Sequence, residues 1–298
     1  MEPEIIRIRE IKPVLTEYIS KSRELLKRSA VPDDDAVHDI RVFMKKTRAI
    51  LRLTGTLMEN DLYDRDLKSL KMVGQIMSKW RDTSVQRKTL RDLRKKYRHV
   101  FSKLESNEKI TNLIRKPVKA EEPDEEKKAG VAEIDDLLNK TYFRIRFYQM
   151  QTINQSDLIL NLEQSFENVR KIYLECRNQV IPEQVHEFRK RSKDLLYQLY
   201  FFRSLNPAVI KSVEKRLERM TMNLGKYNDL YQLLDAIGYV YSGQSNIPAM
   251  DELAIRIRDK QDLYLSKTWS DAYKCFLPGT KLADLLGITI FIIEKPQS

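Results

Sequence analysis

The chain has 298 residues, 42% of them hydrophobic, enough to bury a sizeable core as one large domain or two ordinary ones. Basic side chains outnumber acidic ones by 54 to 43, for a net charge of +11 and a pI near 9.4. That balance favours a polyanionic partner such as nucleic acid, a phosphate polymer or an anionic membrane, and is silent about fold. Only 8 Gly and 10 Pro stand among long periodic charged and apolar segments, so the chain reads as all-α. Cys176 and Cys275 have no CxxC spacing and cannot make a metal site with the scattered His38, His99 and His186. They read as reduced structural thiols, and neither metal nor cofactor is expected. Met1–Arg7 lacks a signal-peptide layout, and the apolar tail 285–293 is well short of the roughly 20 residues that span a bilayer. A cytoplasmic protein with no membrane span is the expectation.

In chain order, Pro13 suits the first turn of a helix whose buried stripe is Leu15, Tyr18, Ile19, Leu25 and Leu26. Pro32-Asp33-Asp34-Asp35 breaks it and supplies caps for a second helix reaching about Met58. A third is predicted over about 61–80 and a fourth over about 83–104, divided by Trp80-Arg81-Asp82-Thr83 read as a stop and cap. A charged loop over about 106–130 follows, then a helix from Glu133 to about Ile153. The plan then restarts, with helices over 157–178, from Pro182, over 209–227, to about Tyr241, and over 251–276. Tyr227-Asn228-Asp229 reads as the counterpart of Trp80-Arg81-Asp82 at an offset of 147 residues. The prediction is one 298-residue domain of two four-helix bundles, 1–154 and 155–298, related by an internal pseudo-twofold duplication.

The candidate site lies on the second helix of each half. His38, Arg41, Lys45, Arg48 and Arg52 step by 3, 4, 3 and 4 and share one helical face, beside the apolar stripe Val37, Ile40, Met44, Thr47 and Leu51. His186, Arg189 and Lys193 repeat the start of that face 148 residues later. Each histidine falls in the early turns of its helix, where the positive dipole end favours anions. Arg forks suit phosphate oxygens, and Lys46, Lys190 and Lys193 add point charges. Lys68 and Lys71 on the third helix, with Lys215, Arg216 and Arg219 on its counterpart, could complete the walls. Asp82 and Asp229 read as structural caps, His99 as structural, and the run Arg87 to Arg98 as an exposed basic face that extends the footprint of a long polymer.

These residues resemble the CHAD domain, the conserved histidine α-helical domain. The resemblance rests on Val37-His38-Asp39-Ile40-Arg41-Val42, Lys45-Lys46-Thr47-Arg48-Ala49, Arg81-Asp82, Val185-His186-Glu187-Phe188-Arg189-Lys190, Lys193, Tyr197, Lys215-Arg216-Leu217 and Leu224-Gly225-Lys226-Tyr227-Asn228-Asp229. It implies two four-helix bundles about a pseudo-twofold axis and binding of inorganic polyphosphate in a basic groove between them, without catalysis. Association with polyphosphate granules in the cytoplasm would follow. The chain departs from the family at Asp194 and Leu196, where the second repeat usually carries Arg. It also lacks the glutamate-rich motif of the CYTH domains that often accompany CHAD domains.

Asp194 should repel phosphate unless Lys190 or Arg191 neutralises it, so Asp194→Arg is expected to strengthen binding. No Gly-rich phosphate loop, carboxylate metal cluster or nucleophile–His motif supports an enzyme. Nucleic acid is the second candidate partner and an acidic protein, met by a helical scaffold with a basic face, the third. Nucleic acid ranks lower because the organising helix offers only Phe43 as a stacking platform.

Overall fold

The computed structural model describes residues 11–55, 60–114, 124–148, 155–239 and 247–288, and the regular elements among them are all helical. They are α1 (Ile11–Lys27), α2 (Asp34–Thr54), α3 (Asn60–Lys96), α4 (Arg98–Ser102), α5 (Glu108–Ile114), α6 (Asp124–Phe147), α7 (Gln155–Asn178), α8 (Pro182–Leu199), α9 (Pro207–Ala236), α10 (Pro248–Cys275) and α11 (Leu282–Leu286), with a 3-10 turn at Tyr200–Phe202. Local chemistry sets several of the starts. The Asp33 carboxylate caps α2 by accepting from the Ala36 N–H at 2.7 Å. α8, α9 and α10 each open on a proline, whose missing N–H costs nothing in the first turn.

Two predicted boundaries do not exist. α3 runs unbroken through Trp80 and Asp82, and α9 through Tyr227 and Asp229. At 37 and 30 residues they are roughly 55 and 45 Å long. Packing overrides the polar signals that suggested stops. Trp80 lies against α6, where a Cβ on Gly130 would stand only 2.9 Å from its ring. The apolar spacing also continues past each supposed break, through Leu90 and Leu93 in α3 and Leu230, Leu233 and Leu234 in α9, all buried. α6 starts at Asp124, nine residues before its predicted start at Glu133; α2 is described to Thr54, and its expected end near Met58 lies outside the described residues. The side chains of Arg81 and Asp82, and the stretch 149–154, lie outside the described residues.

α2 packs on α1, α3, α7 and α8, and α8 on α7, α9 and α2. α6 closes against α1 and α3, pinned by Arg23 Nε to Asp135 Oδ1 at 2.8 Å and Arg144 Nε to the buried Asp66 Oδ1 at 2.6 Å. α10 lies along α9 and reaches α7 and α8 through the rings of Tyr173, Phe188, Trp269 and Phe276. The core does not divide near residue 154: one buried cluster extends from Ile11 to Leu286. A second, smaller cluster joins the far ends of α3 and α9 to α4, α5 and the start of α10. Cys176 and Cys275 are free and buried, and burial pushes their thiols up to about 11 and about 12. Among the described residues no helix is long and apolar enough to cross a membrane.

Candidate functional site

α2 and α8 cross where the buried Gln198 Nε2 donates to the Ala49 carbonyl at 2.9 Å. His38 and His186 occupy the same place, the fifth residue of their helices. By that position the backbone N–H is already bonded within the helix, and Asp33, Asp34 and Asp35 cover the positive end of α2. The helix dipole therefore does not single out the histidines for anion binding. His38 is exposed and His186 half-buried. His186 Nδ1 meets Asn228 Oδ1 of α9 at 2.9 Å. Burial, with Lys190 and Arg189 adding to it, holds the His186 imidazole below its ordinary value.

The two arginines three residues on make matching contacts. Arg41 Nη1 donates to Ser78 Oγ of α3 at 2.6 Å. The Arg189 guanidinium lies on Gly225 of α9, where an added Cβ would stand 3.3 Å from Nε. Ser78 and Gly225 are 147 residues apart and Arg41 and Arg189 are 148 apart, so the sequence offset is repeated in space. Glycine at 225 leaves room for a guanidinium; an added Cβ there would press on it and ask it to shift by a few tenths of an ångström.

Beyond those arginines the helices diverge. On α2, Arg48 is half-buried between Arg41 and Arg52; burial first, then Arg52, pulls its pKa down. Arg48 Nε is buried with no hydrogen-bond acceptor among the described residues. Lys46 turns the other way, with Nζ 5.3 Å from the Tyr18 ring centroid and 5.9 Å from that of Tyr197. Lys193 Nζ takes the same Tyr197 ring at 5.7 Å. Burial lowers both lysines, helped by Lys21 and Arg203 at Lys46 and by Arg189 and Lys46 at Lys193, against Glu218. Five cations from two helices (Arg41, Lys46, Arg48, Arg189 and Lys193) are thus held half out of water at the crossing.

Asp194 stands where Lys46 stands in α2, and it serves the interface. Its carboxylate accepts from Arg52 Nη1 at 2.8 Å and approaches Arg191 at 3.6 Å. Only 15% of its side chain is exposed. Arg52 is therefore spoken for, and the neutralising groups are Arg52 and Arg191, whereas Lys190 pairs with Glu187 at 2.6 Å. The expected gain from Asp194→Arg is withdrawn: a cation there would face three arginines. Leu196 is fully buried core. A cavity of about 800 Å³ opens beside this bracket, lined by Arg52, Tyr63, Asn168, Lys171, Arg191 and Asp194 among others. Of the predicted cations only Arg52 lines it.

The outlying candidates scatter. Arg219 is bound to Asp271 of α10, Nη2 to Oδ1 at 2.7 Å, and Arg216 acts electrostatically on Cys275 of the same helix. Lys68, Lys71 and Lys215 are exposed on α3 and α9, and Lys45 is half-buried on α2. His99 pairs with Glu252 at 3.0 Å, a surface contact between α4 and α10. Reasoning from sequence passed over Ser78, and it noted Tyr197 and Gly225 without a role. A tyrosine four residues after Lys193 and a glycine inside a long helix were the available signals.

Fold and site together define an all-α protein built around a crossed pair of cation-bearing helices, each with a histidine at its fifth position. The CHAD domain model matches residues 15–237, roughly three quarters of the chain, and the protein belongs to that family. No curated protein matches the chain. The match ends at Ile237, before α10.

Proposed function

We propose that this protein is a non-catalytic binder of inorganic polyphosphate or a similarly phosphate-rich polyanion in the cytoplasm. The polymer lies in a basic groove along the α2–α8 crossing, between two helical units that arose by duplication. The carrying observation is the set of like charges held half-buried at that crossing. Burial acts first against the charge of Lys46, Arg48 and Lys193, and neighbouring cations add to it: Lys21 and Arg203 at Lys46, Arg52 and Arg41 at Arg48, and Arg189 and Lys46 at Lys193. An anion entering there relieves that cost. A linear polymer collects many such contacts at once and releases its counterions. Family membership supports the same ligand, and the paired contacts of Arg41 with Ser78 and Arg189 with Gly225 support the duplication.

Nucleic acid ranks below it because the nearby rings are engaged. Phe43 stacks on Tyr18 at 5.5 Å, and Tyr197 is flanked by two ammonium groups. Isothermal titration with polyphosphate, single-stranded DNA and an acidic peptide at two salt concentrations tests the order. Polyphosphate should bind tightest, and the triple variant Arg41→Ala, Lys45→Ala, Arg48→Ala should lose about 3 kcal/mol of that affinity with helicity unchanged. Tighter binding of DNA, or unchanged affinity in a folded triple variant, overturns the assignment.

A further inference from the structure

A second group of cations lies outside the helix crossing. α3 ends at Lys96, and Tyr97 leaves the helical path there with φ −118° and ψ 51° while its N–H still bonds to the Leu93 carbonyl at 2.8 Å. The break turns the half-buried Tyr97 ring onto the smaller core cluster. Three cations from two helices converge on that ring: Lys96 Nζ at 5.3 Å, Arg256 Cζ at 5.9 Å and Lys260 Nζ at 5.9 Å from its centroid. Beside it, Lys226 of α9 sits over Tyr264 of α10 at 5.3 Å.

We propose that Lys96, Lys226, Arg256 and Lys260, gathered around Tyr97 and Tyr264, form a second phosphate-binding subsite engaged only by long polyanions. This rests on the polyphosphate reading above and extends it. The tyrosine faces explain why the cations can assemble, since a ring quadrupole attracts each of them. They do not remove the repulsion between neighbours. Burial first, then Lys96 and Lys226, acts against the charge on Lys260, and Asp92 acts in its favour. Glu252 approaches Arg256 at 3.8 Å but is shared with His99 at 3.0 Å. A row of phosphate oxygens supplies the missing negative charge, with an Arg fork and three ammonium donors to receive it.

Position makes the subsite an annex of the groove. Lys226 directly follows Gly225, the residue on which Arg189 of the crossing lies. One residue on in a helix is a turn of about 100°, so Lys226 leaves the side of α9 that Arg189 occupies. It lies over Tyr264 of α10, where it acts on Lys260 as Lys96 does; a polymer passes around α9 to engage both sites. A ligand of a few phosphates, held at the crossing, does not reach them. Of the basic run 87–98, Lys96 is the member drawn into this cluster; Arg256, Lys260 and Tyr264 lie beyond residue 237, where the family match ends.

The test is titration of the full chain and of the triple variant Lys96→Gln, Lys226→Gln, Lys260→Gln with tripolyphosphate and with long-chain polyphosphate, across a salt series. Lys96 and Lys226 are exposed and Lys260 is half-buried, and circular dichroism checks the fold. The expected result is unchanged affinity for tripolyphosphate, about tenfold weaker binding of the long chain, and a salt slope smaller by about 2 for the long chain alone. Long-chain affinity unchanged in the variant overturns the subsite while leaving the groove standing. Equal weakening toward both ligands overturns it too, because the lysines would then act through the overall field of the protein. Failure of the unsubstituted chain to bind either ligand removes the polyphosphate reading and the subsite with it.

Discussion

α2 and α8 start alike and end differently. Each carries a histidine at its fifth residue and an arginine three places on, resting on the next long helix. Then α2 continues with Lys46, Arg48 and Arg52, whereas α8 places Asp194 and Leu196 at the matching positions and the 3-10 turn that follows it places Tyr200. The difference shows how two helices that begin with the same residues come to do different work. α2 supplies the longer row of cations, and α8 spends the equivalent positions on holding α2 in place. Asp194 clamps Arg52, Leu196 joins the core, and Tyr197 gives Lys46 and Lys193 a common ring to lie against.

The sharpest way to break this comparison is at Asp194. Asp194→Ala should lower unfolding stability by about 2–3 kcal/mol, because Arg52 and Arg48 then face each other without their counter-charge, while Arg191 keeps Glu187 at 2.7 Å. Asp194→Arg should cost more. Urea midpoints decide it; a neutral Asp194→Ala would mean that the bracket is incidental and that α8 is simply a weaker copy of α2.

Next in size is the contrast between the paired arginines. Arg41→Ala should weaken polyphosphate binding about tenfold and Arg189→Ala about threefold, since Arg41 opens the longer row. Titration at one salt concentration measures both. Equal losses would mean that the polymer reads the two helices symmetrically.

The smallest effect is the pH response of His186. Its folded pKa lies below the ordinary value of 6.5, so the unfolded chain takes up the proton first. The stability it contributes is full above about pH 6.5 and is lost as pH falls through and below that value. Thermal melts of the free protein at about pH 7.5 and about pH 5.5 should show a loss of stability at the lower pH that His186→Gln reduces. Bound polyanion works in the opposite direction by stabilising the imidazolium, so affinity should rise over the same fall in pH. A variant that keeps the whole slope of both quantities would show that His186 does not titrate in this range.

How much of this was legible beforehand differs between fold and site. The 3.6-residue spacing of Val37, Ile40, Met44, Thr47 and Leu51 announces α2, and those five side chains are buried. Trp80-Arg81-Asp82 and Tyr227-Asn228-Asp229 look like caps because an aromatic followed by polar residues often ends a helix. Here the aromatics are packed against other helices, Trp80 on α6 at Gly130 and Tyr227 in the core, and the helices continue. Capping preference is worth about 1 kcal/mol, and burying a large aromatic is worth more, so packing wins.

The sequence by itself determined the helical class, the cation-bearing face of α2 and its partial echo on α8, because periodicity and spacing are properties of one helix at a time. Only the tertiary structure decided which cations are committed to an acidic partner and which are held half-buried without one among the described residues. Arg52 goes to Asp194, Arg219 to Asp271 and Lys190 to Glu187, while Lys46, Arg48 and Lys193 are gathered half-buried at the crossing. The physical reason is that a charge's role depends on its nearest opposite charge and on the water left around it. Where helices cross, both are set by residues more than a hundred positions away, as 52 and 194 are.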